Sequence, residues 1–430
     1  MARLEGGYNM KGSGVKKASA VKEGTLIVTV DIGMISNHGY CTAGDGRSTK
    51  TFKFDNTREG LDTFWSMILS NKARFRCTEV IVGYESTGPY GEPLIHYLKQ
   101  KPVKMVQVNP MHTKKMKEIN DNSPLKTDSK DPRVIADIIR LGHALSVVVP
   151  EGDAAYLRRL NNARERHVKE RTGLLNQLQQ FVFITFPEFA RILKTIDSKT
   201  ALYILKKYTT PTRIGSANHE ELGKEMRRQS MGKFNVEHAG ALINFAKTTI
   251  CIQEGLQGLV MDIQHVLIQL DLLNGFIAEI LDEMEITLNR IPYSRKLLSI
   301  KGFGIVTVAG LIGEIADFTK FTTQSEITKL AGLNLYEVSS GKKRGQLKIS
   351  KRGRSLLRKI LYYAAIQTVR KNGIMHDYYQ KLLGRGMKSI KALVAVSRKL
   401  LRIVFAMVRD DSEFIVNYET QKKEVMKEAA

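Results

Sequence analysis

Four carboxylates in the first third of the chain have the types and spacing of a metal-ion site. Asp31 closes the apolar run Thr25-Leu-Ile-Val-Thr-Val-Asp31, and Glu85 closes a second, Val80-Ile-Val-Gly-Tyr-Glu85. Asp128 and Asp131 follow in Thr127-Asp-Ser-Lys-Asp131-Pro132, where a helix is expected to open. Carboxylates at the ends of adjacent strands, joined by a pair from a later helix, collect the hard oxygen ligands that Mg²⁺ or Mn²⁺ takes. Two such ions about 4 Å apart would position the attacking and leaving oxygens of a phosphoryl transfer. Taken singly, each residue has an ordinary structural reading. Asp131 before Pro132 is a regular helix start, Asp31 is a strand-end turn residue, and Glu85 is a cap for the helix after Pro89. Their order on this strand pattern favours the metal site, with Asp137 as a weaker member on the same helix.

A second constellation lies near the C-terminus. Ser339 and Ser340 stand before Gly341, and the next residues carry Lys342, Lys343, Arg344, Lys348, Lys351, Arg352, Arg354, Arg358 and Lys359 with no acid among them. A serine hydroxyl that attacks a phosphodiester needs cations to neutralise the charge building on the phosphate. By itself Ser-Ser-Gly is a solvated turn, and the basic run could be plain surface. Upstream, Gly302-Phe-Gly304 leads into a helix, and such a turn exposes backbone N–H groups to an anion such as a DNA phosphate.

The chain as a whole suits a polyanionic substrate. Its 430 residues hold 67 Lys and Arg against 43 Asp and Glu, a net charge of +24. Such a surplus costs self-repulsion unless a nucleic acid offsets it. No long charge-free apolar span suggests a membrane. Residues 391–409 are apolar on one face but interrupted by Arg398, Lys399 and Arg402. The N-terminus lacks the apolar core of a signal peptide, and Cys41, Cys77 and Cys251 form no CxxC pair. A reducing cytoplasm is expected, with neither a disulfide framework nor a cysteine zinc site.

The elements that must position these residues follow from periodicity. Residues 26–32, 39–43 and 51–54 read as a β-meander, 59–69 as a helix, and 79–84 and 103–108 as buried strands. A meander followed by βαβ units predicts a mixed sheet of ribonuclease-H/RuvC-like layout, with its site at the carboxyl ends of parallel strands. From about residue 154 the period becomes helical. A second helical pattern runs over about 239–288, long enough to predict a coiled-coil arm or helical hairpin and an oligomer contact through Leu270. The intervening 188–238 carries no strong signal. The fold class expected is α/β plus all-α, and the divisions are a disordered basic tail (1–22), the RuvC-like domain (23–150) and a helical coiled-coil domain (151–295). A mainly α domain with a helix-hairpin-helix-like start (296–415) and a charged tail (416–430) complete the chain.

Together the motifs resemble the transposases of insertion sequence family 110, which include the Piv-type DNA invertases. The first part of the match is Val30-Asp31-Ile32-Gly33, Glu85-Ser-Thr87-Gly88-Pro-Tyr90, Val108-Asn109-Pro110 and Lys126-Thr127-Asp128-Ser-Lys-Asp131. The second is Gly302-Phe-Gly304, Ala331-Gly332-Leu333, Ser340-Gly341, Ile349-Ser350-Lys351-Arg352-Gly353 and Leu357-Arg358. The resemblance implies a DEDD site of Asp31, Glu85, Asp128 and Asp131 holding Mg²⁺ or Mn²⁺, and Ser340 as nucleophile, with Ser339 as the fallback. It also implies a bacterial, nucleoid-associated recombinase acting on donor and target DNA as a dimer or tetramer. A structured non-coding bridge RNA would guide it, and strands would pass through a phosphoserine intermediate. A RuvC-like junction-resolving nuclease and a site-specific DNA invertase are the alternatives. Pro132 stands where the family commonly has alanine, which leaves the carboxylates untouched.

Overall fold

The computed structural model describes residues 21–85, 88–121, 131–147, 149–252, 254–337, 345 and 347–415. The expected basic tail, but for its last two residues, and the charged tail 416–430 lie outside the described residues. The chain divides into two compact units, residues 1–149 and 150–430.

The first unit is a mixed sheet covered by helices. Its strands are β1 (Thr25–Asp31), β2 (Ser36–Ala43), β3 (Phe52–Asp55), β4 (Glu79–Glu85), β5 (Lys104–Val108) and β6 (Leu145–Ser146), in the order β3-β2-β1-β4-β5-β6. The meander β1-β2-β3 is antiparallel, β1, β4 and β5 run parallel, and β6 returns antiparallel. The predicted strands are therefore present. The short β6 was not anticipated, because two residues carry no period. The helices are α1 (Arg58–Arg74), α2 (Glu92–Lys99), α3 (Pro110–Asp121) and α4 (Asp131–Arg140).

Alternation along the parallel strands sorts their side chains onto two cores. Leu26, Val28, Val30, Val80, Val82 and Tyr84 join one, with Leu61, Phe64 and Ile68 of α1 and Leu94 and Leu98 of α2. Ile27, Ile81, Val106 and Val108 join the other, against Val134, Ile135, Ile138 and Ile139 of α4. The apolar stripe of α4 lies so close to the sheet that a Cβ at Gly83 would stand 2.2 Å from Ile139 Cδ1. A side chain there would lift the helix off β4.

Among its described residues the second unit is helical apart from one short strand pair. Two 34-residue helices, α5 (Gly152–Thr185) and, after five shorter ones, α11 (Leu256–Asn289), pair antiparallel. Arg290 Nη2 meets Asp153 at 2.8 Å near one end, and Arg171 Nε donates to Asn274 Oδ1 at 2.7 Å further along. Between them lie α6 (Phe189–Ile192), α7 (Lys199–Tyr208), α8 (Pro211–Gly215), α9 (His219–Gln229) and α10 (Val236–Thr248). The segment that carried no strong signal is thus a set of short helices, several opened by side-chain caps at Ser198, Thr210, Asn218 and Asn235. Beyond α11 come α12 (Ser294–Leu298), α13 (Ile305–Ile315), α14 (Gln324–Leu330), β7 (Leu335–Tyr336), β8 (Lys348–Ile349), α15 (Ser355–Thr368), α16 (His376–Gly384) and α17 (Ser389–Arg409). Among the described residues, no helix is long and apolar enough to cross a membrane.

The helical pattern over 239–288 divides between two helices: α10 ends at Thr248, and Gly255, at φ +74°, leads into α11. The β-branched run Thr248-Thr249-Ile250 disfavours continuation, and the Thr249 hydroxyl donates instead to Glu188 Oε2 at 2.6 Å. Leu270 faces inward, 2% exposed, in a core shared with Leu178 and Val182 of α5 and Leu205 of α7. Leu270→Asp should therefore unfold this core rather than only part subunits, since an unpaired charge buried among aliphatics costs several kcal/mol. The expected result in urea denaturation is a midpoint well below wild type at every protein concentration. A wild-type midpoint with a halved mass in light scattering would contradict the packing.

Candidate active site

The parallel register sets two of the carboxylates side by side. Val30 pairs with Tyr84, so Asp31 and Glu85 end adjacent strands at one level. Both are half-buried. Since Ile27 and Ile81 face α4, alternation turns Asp31 and Glu85 to that same face of the sheet. Helix α4 runs back along the sheet from the carboxyl ends. At its start the Thr29 hydroxyl donates to the Pro132 carbonyl at 2.5 Å, a buried bond between residues far apart in sequence. At its end Arg140 donates to the Thr42 hydroxyl and, at 3.1 Å, to the Ala43 carbonyl. The tether at Thr29, two residues before Asp31 and on its face, holds the first turn of α4 beside the strand ends. Asp131 is the first residue of that helix and is 7% exposed.

Asp131 Oδ1 stands 2.5 Å from Lys117 Nζ on α3. The two form an ion pair, and this buried oxygen makes no hydrogen bond. The contact is one of charge, and the carboxylate keeps lone pairs for a cation. Asp128, the fourth carboxylate, lies outside the described residues. Among the described residues, no three His, Cys, Asp or Glu side chains are grouped closely enough to hold a metal ion. The donor chemistry nonetheless fits a hard divalent cation such as Mg²⁺ or Mn²⁺. The donors are carboxylate oxygens that share a sheet face and edge, and one is a buried acceptor without a donor. Asp137 is also on α4, where it meets Arg140 Nη1 at 4.0 Å near the far end of the helix.

In the second unit, the segment with Ser339 and Ser340 joins β7 to β8. Both serines, with Gly341, Lys342, Lys343 and Arg344, lie outside the described residues, but the residues on either side pair with one another. Leu335 pairs with Ile349 and Tyr336 with Lys348. Below that pair Ser350 N donates to Asn334 O at 2.9 Å, Lys351 N to Gly332 O at 2.9 Å and Arg354 N to Leu330 O at 2.7 Å. The backbones of Gly332 and Gly353 touch, and a Cβ at Gly353 would stand 2.4 Å from Gly332 N. Ala331-Gly332-Leu333 and Ile349-Ser350-Lys351-Arg352-Gly353 are thus two halves of one clamp that holds together the chain on either side of Ser339 and Ser340.

The basic run divides by burial. Lys348, Lys351 and Arg352 are exposed. Arg354 is turned inward, where it donates to the Glu314 carbonyl. Burial, aided by the neighbouring Arg158 guanidinium, pulls its pKa down to about 10. Glu314, 4% exposed, lies 3.6 Å from Arg158. Arg358 donates to the Ala331 carbonyl at 2.9 Å, and burial lowers its pKa. Lys359 pairs with Glu165. Composition could not distinguish inward from outward cations, and Thr29, Arg140 and Lys117 carried no motif at all. The nearest signal was the i, i+2 spacing of Thr29 and Asp31 on one strand.

Gly302 and Gly304 occupy the turn between α12 and α13. Gly304 is the N-cap of α13 and supplies no side chain, and a Cβ there would meet nothing within 4 Å. The N-cap position of α13 is therefore open, and the first-turn N–H groups of a helix have no partner within it.

Comparison with known proteins gives family matches in both parts of the chain. Residues 28–187 match the family model described as a DEDD transposase of the IS110 type. Residues 294–380 match the transposase model of the IS116/IS110/IS902 family. The chain is 21% identical over 388 residues to an uncharacterized 43.6 kDa protein of insertion element IS110 from Streptomyces coelicolor, covering 90% of this chain and 94% of that one. It is 27% identical over 293 residues to an uncharacterized 44.8 kDa protein of insertion element IS116 from Streptomyces clavuligerus, covering 67% of this chain and 72% of the relative. An uncharacterized 42 kDa protein of insertion element IS900 from Mycobacterium paratuberculosis is 25% identical over 291 residues, covering 67% and 73%. With Asp31, Glu85 and Asp131 in the first matched segment and Ser339 and Ser340 in the second, the chain belongs to the IS110 family of insertion-sequence transposases.

Proposed function

We propose that this transposase moves its element by serine-mediated strand exchange supported by a divalent metal ion. What supports the reading is that Asp31 and Glu85 end adjacent parallel strands on one face of the sheet, and that the Thr29–Pro132 bond seats the first turn of α4, which bears Asp131, on that face. With Asp128 they are the proposed holders of Mg²⁺ or Mn²⁺, which when bound would neutralise charge on the reacting phosphate and orient its oxygens. The Ser340 hydroxyl, with Ser339 as the fallback, forms a new bond to phosphorus as the scissile P–O bond breaks. The serine gives up its proton and the released strand end takes one up as a hydroxyl. Reversal of this step with a different strand end joins donor to target. The clamp formed by Gly332 and Gly353 gives the nucleophile loop a fixed base, and fixed geometry is what brings a nucleophile within attacking range.

Around this chemistry the protein acts mainly on the nucleic-acid backbone. Lys348, Lys351, Arg352 and the open N-terminus of α13 behind Gly304 serve the phosphates, and a structured non-coding RNA supplies sequence by pairing. A net charge of +24 accommodates both polyanions, and a dimer or tetramer brings donor and target strands together.

The chemistry is tested with the protein, its element's flanking RNA, Mg²⁺ and labelled junction DNA, resolved on a denaturing gel. A covalent protein–DNA adduct is expected for wild type, and its loss in Ser340→Ala and in Asp31→Ala. Nicked DNA without an adduct, unchanged by Ser340→Ala, would identify a hydrolytic junction nuclease instead. The division of the basic run has its own test. Lys351→Ala with Arg352→Ala should flatten the slope of log affinity against log salt by about two units with little loss of stability. Arg354→Met should lower stability and keep the slope. Identical slopes in all three proteins would return Lys351 and Arg352 to plain surface.

A further inference from the structure

We propose that Lys117 is the built-in counter-cation of the carboxylate site, occupying a charge position beside Asp131 that passes to the metal ion on loading. The inference rests on the metal-site reading above and adds to it a residue that no motif singles out.

Helix α3 presents this lysine by its own periodicity. Thr113, 1% exposed, and Met116, packed on the α4 core, anchor one face of the helix. Lys117 follows Thr113 by four residues and Met116 by one, so its stem leaves on the anchored side. Lys114 and Lys115 are exposed, whereas Lys117 is half-buried, with its side chain 29% exposed against 10% for Asp131. The 2.5 Å approach of Nζ to Asp131 Oδ1 therefore joins two groups that are both largely withdrawn from water.

Such a pair answers an electrostatic problem. Asp131 is buried at the start of α4, and without a cation its charge would be costly to keep. An ammonium provides a compact point charge on a flexible stem and makes no bidentate grip on a carboxylate. It can balance the site and still withdraw. Oδ1 makes no hydrogen bond, which agrees with a contact held by charge rather than by directional bonding.

The test compares wild type, Lys117→Met, Lys117→Arg and Asp131→Asn by titration calorimetry with Mn²⁺ and by thermal unfolding with and without the ion. An opposite charge at this range shifts the affinity of a carboxylate for a proton by one to three pKa units. Its removal should therefore tighten Mn²⁺ binding on the order of ten-fold or more in Lys117→Met. That variant should also melt below wild type without metal and regain more of its stability when Mn²⁺ is added. Lys117→Arg, which restores the charge, should bind Mn²⁺ close to wild type. If Asp131→Asn abolishes wild-type binding but Lys117→Met binds no more tightly, the counter-cation role fails while the metal site stands. If neither wild type nor Lys117→Met binds Mn²⁺, both the role and the reading beneath it fail.

Discussion

The seating of α4 on the sheet governs the first unit, because three separate contacts fix that helix in position and in depth. The Thr29 hydroxyl holds its first turn, Arg140 ties its last turn to β2, and Gly83 lets Ile139 settle against β4. The buried Thr29 bond contributes about 1 kcal/mol net, but its loss would strand a buried carbonyl at a cost of about 1–3 kcal/mol. Depth matters as much as attachment: a methyl group at Gly83 would collide with Ile139 and raise the helix. Since Asp131 opens this helix, its distance from Asp31 and Glu85 is set by apolar packing more than by any contact among the carboxylates themselves.

The second unit applies the same logic to a loop. Main-chain bonds between 330–334 and 350–354 and the contact of two glycine backbones hold the base of the serine segment. Beneath that base Arg354 and Glu314 are withdrawn from water beside Arg158. Polar groups placed this way stabilise little unless satisfied, and they fix one arrangement when they are. The exposed cations of the same run are left for the substrate.

Much of this was legible in the sequence, for identifiable reasons. Strands β1 and β4 are Val- and Ile-rich runs ending in a carboxylate, so both the elements and their acidic ends were visible. The mixed sheet followed from a meander preceding βαβ units. The inward turn of Arg354 was not legible, because charge alone does not reveal burial. Nor was the break between α10 and α11, where apolar spacing continued across Thr248 to Gly255 and masked the change of helix. The short helices before it were announced only by caps such as Asn218 and Asn235, which weigh little without an apolar stripe behind them. Lys117 was invisible for a different reason: its role depends on a contact across two helices, and no local pattern encodes that.

The central claim is that strand ends and helix start form one metal-binding edge, and site-directed backbone cleavage tests it most directly. Fe²⁺ substituted for Mg²⁺ in the presence of ascorbate and peroxide generates hydroxyl radicals that cut the chain next to the bound ion. Cuts clustered near residues 31, 85 and 131, suppressed by excess Mg²⁺ and lost in Asp31→Asn, are the predicted result. Cuts that fall elsewhere, or that persist unchanged in Asp31→Asn, would contradict the account.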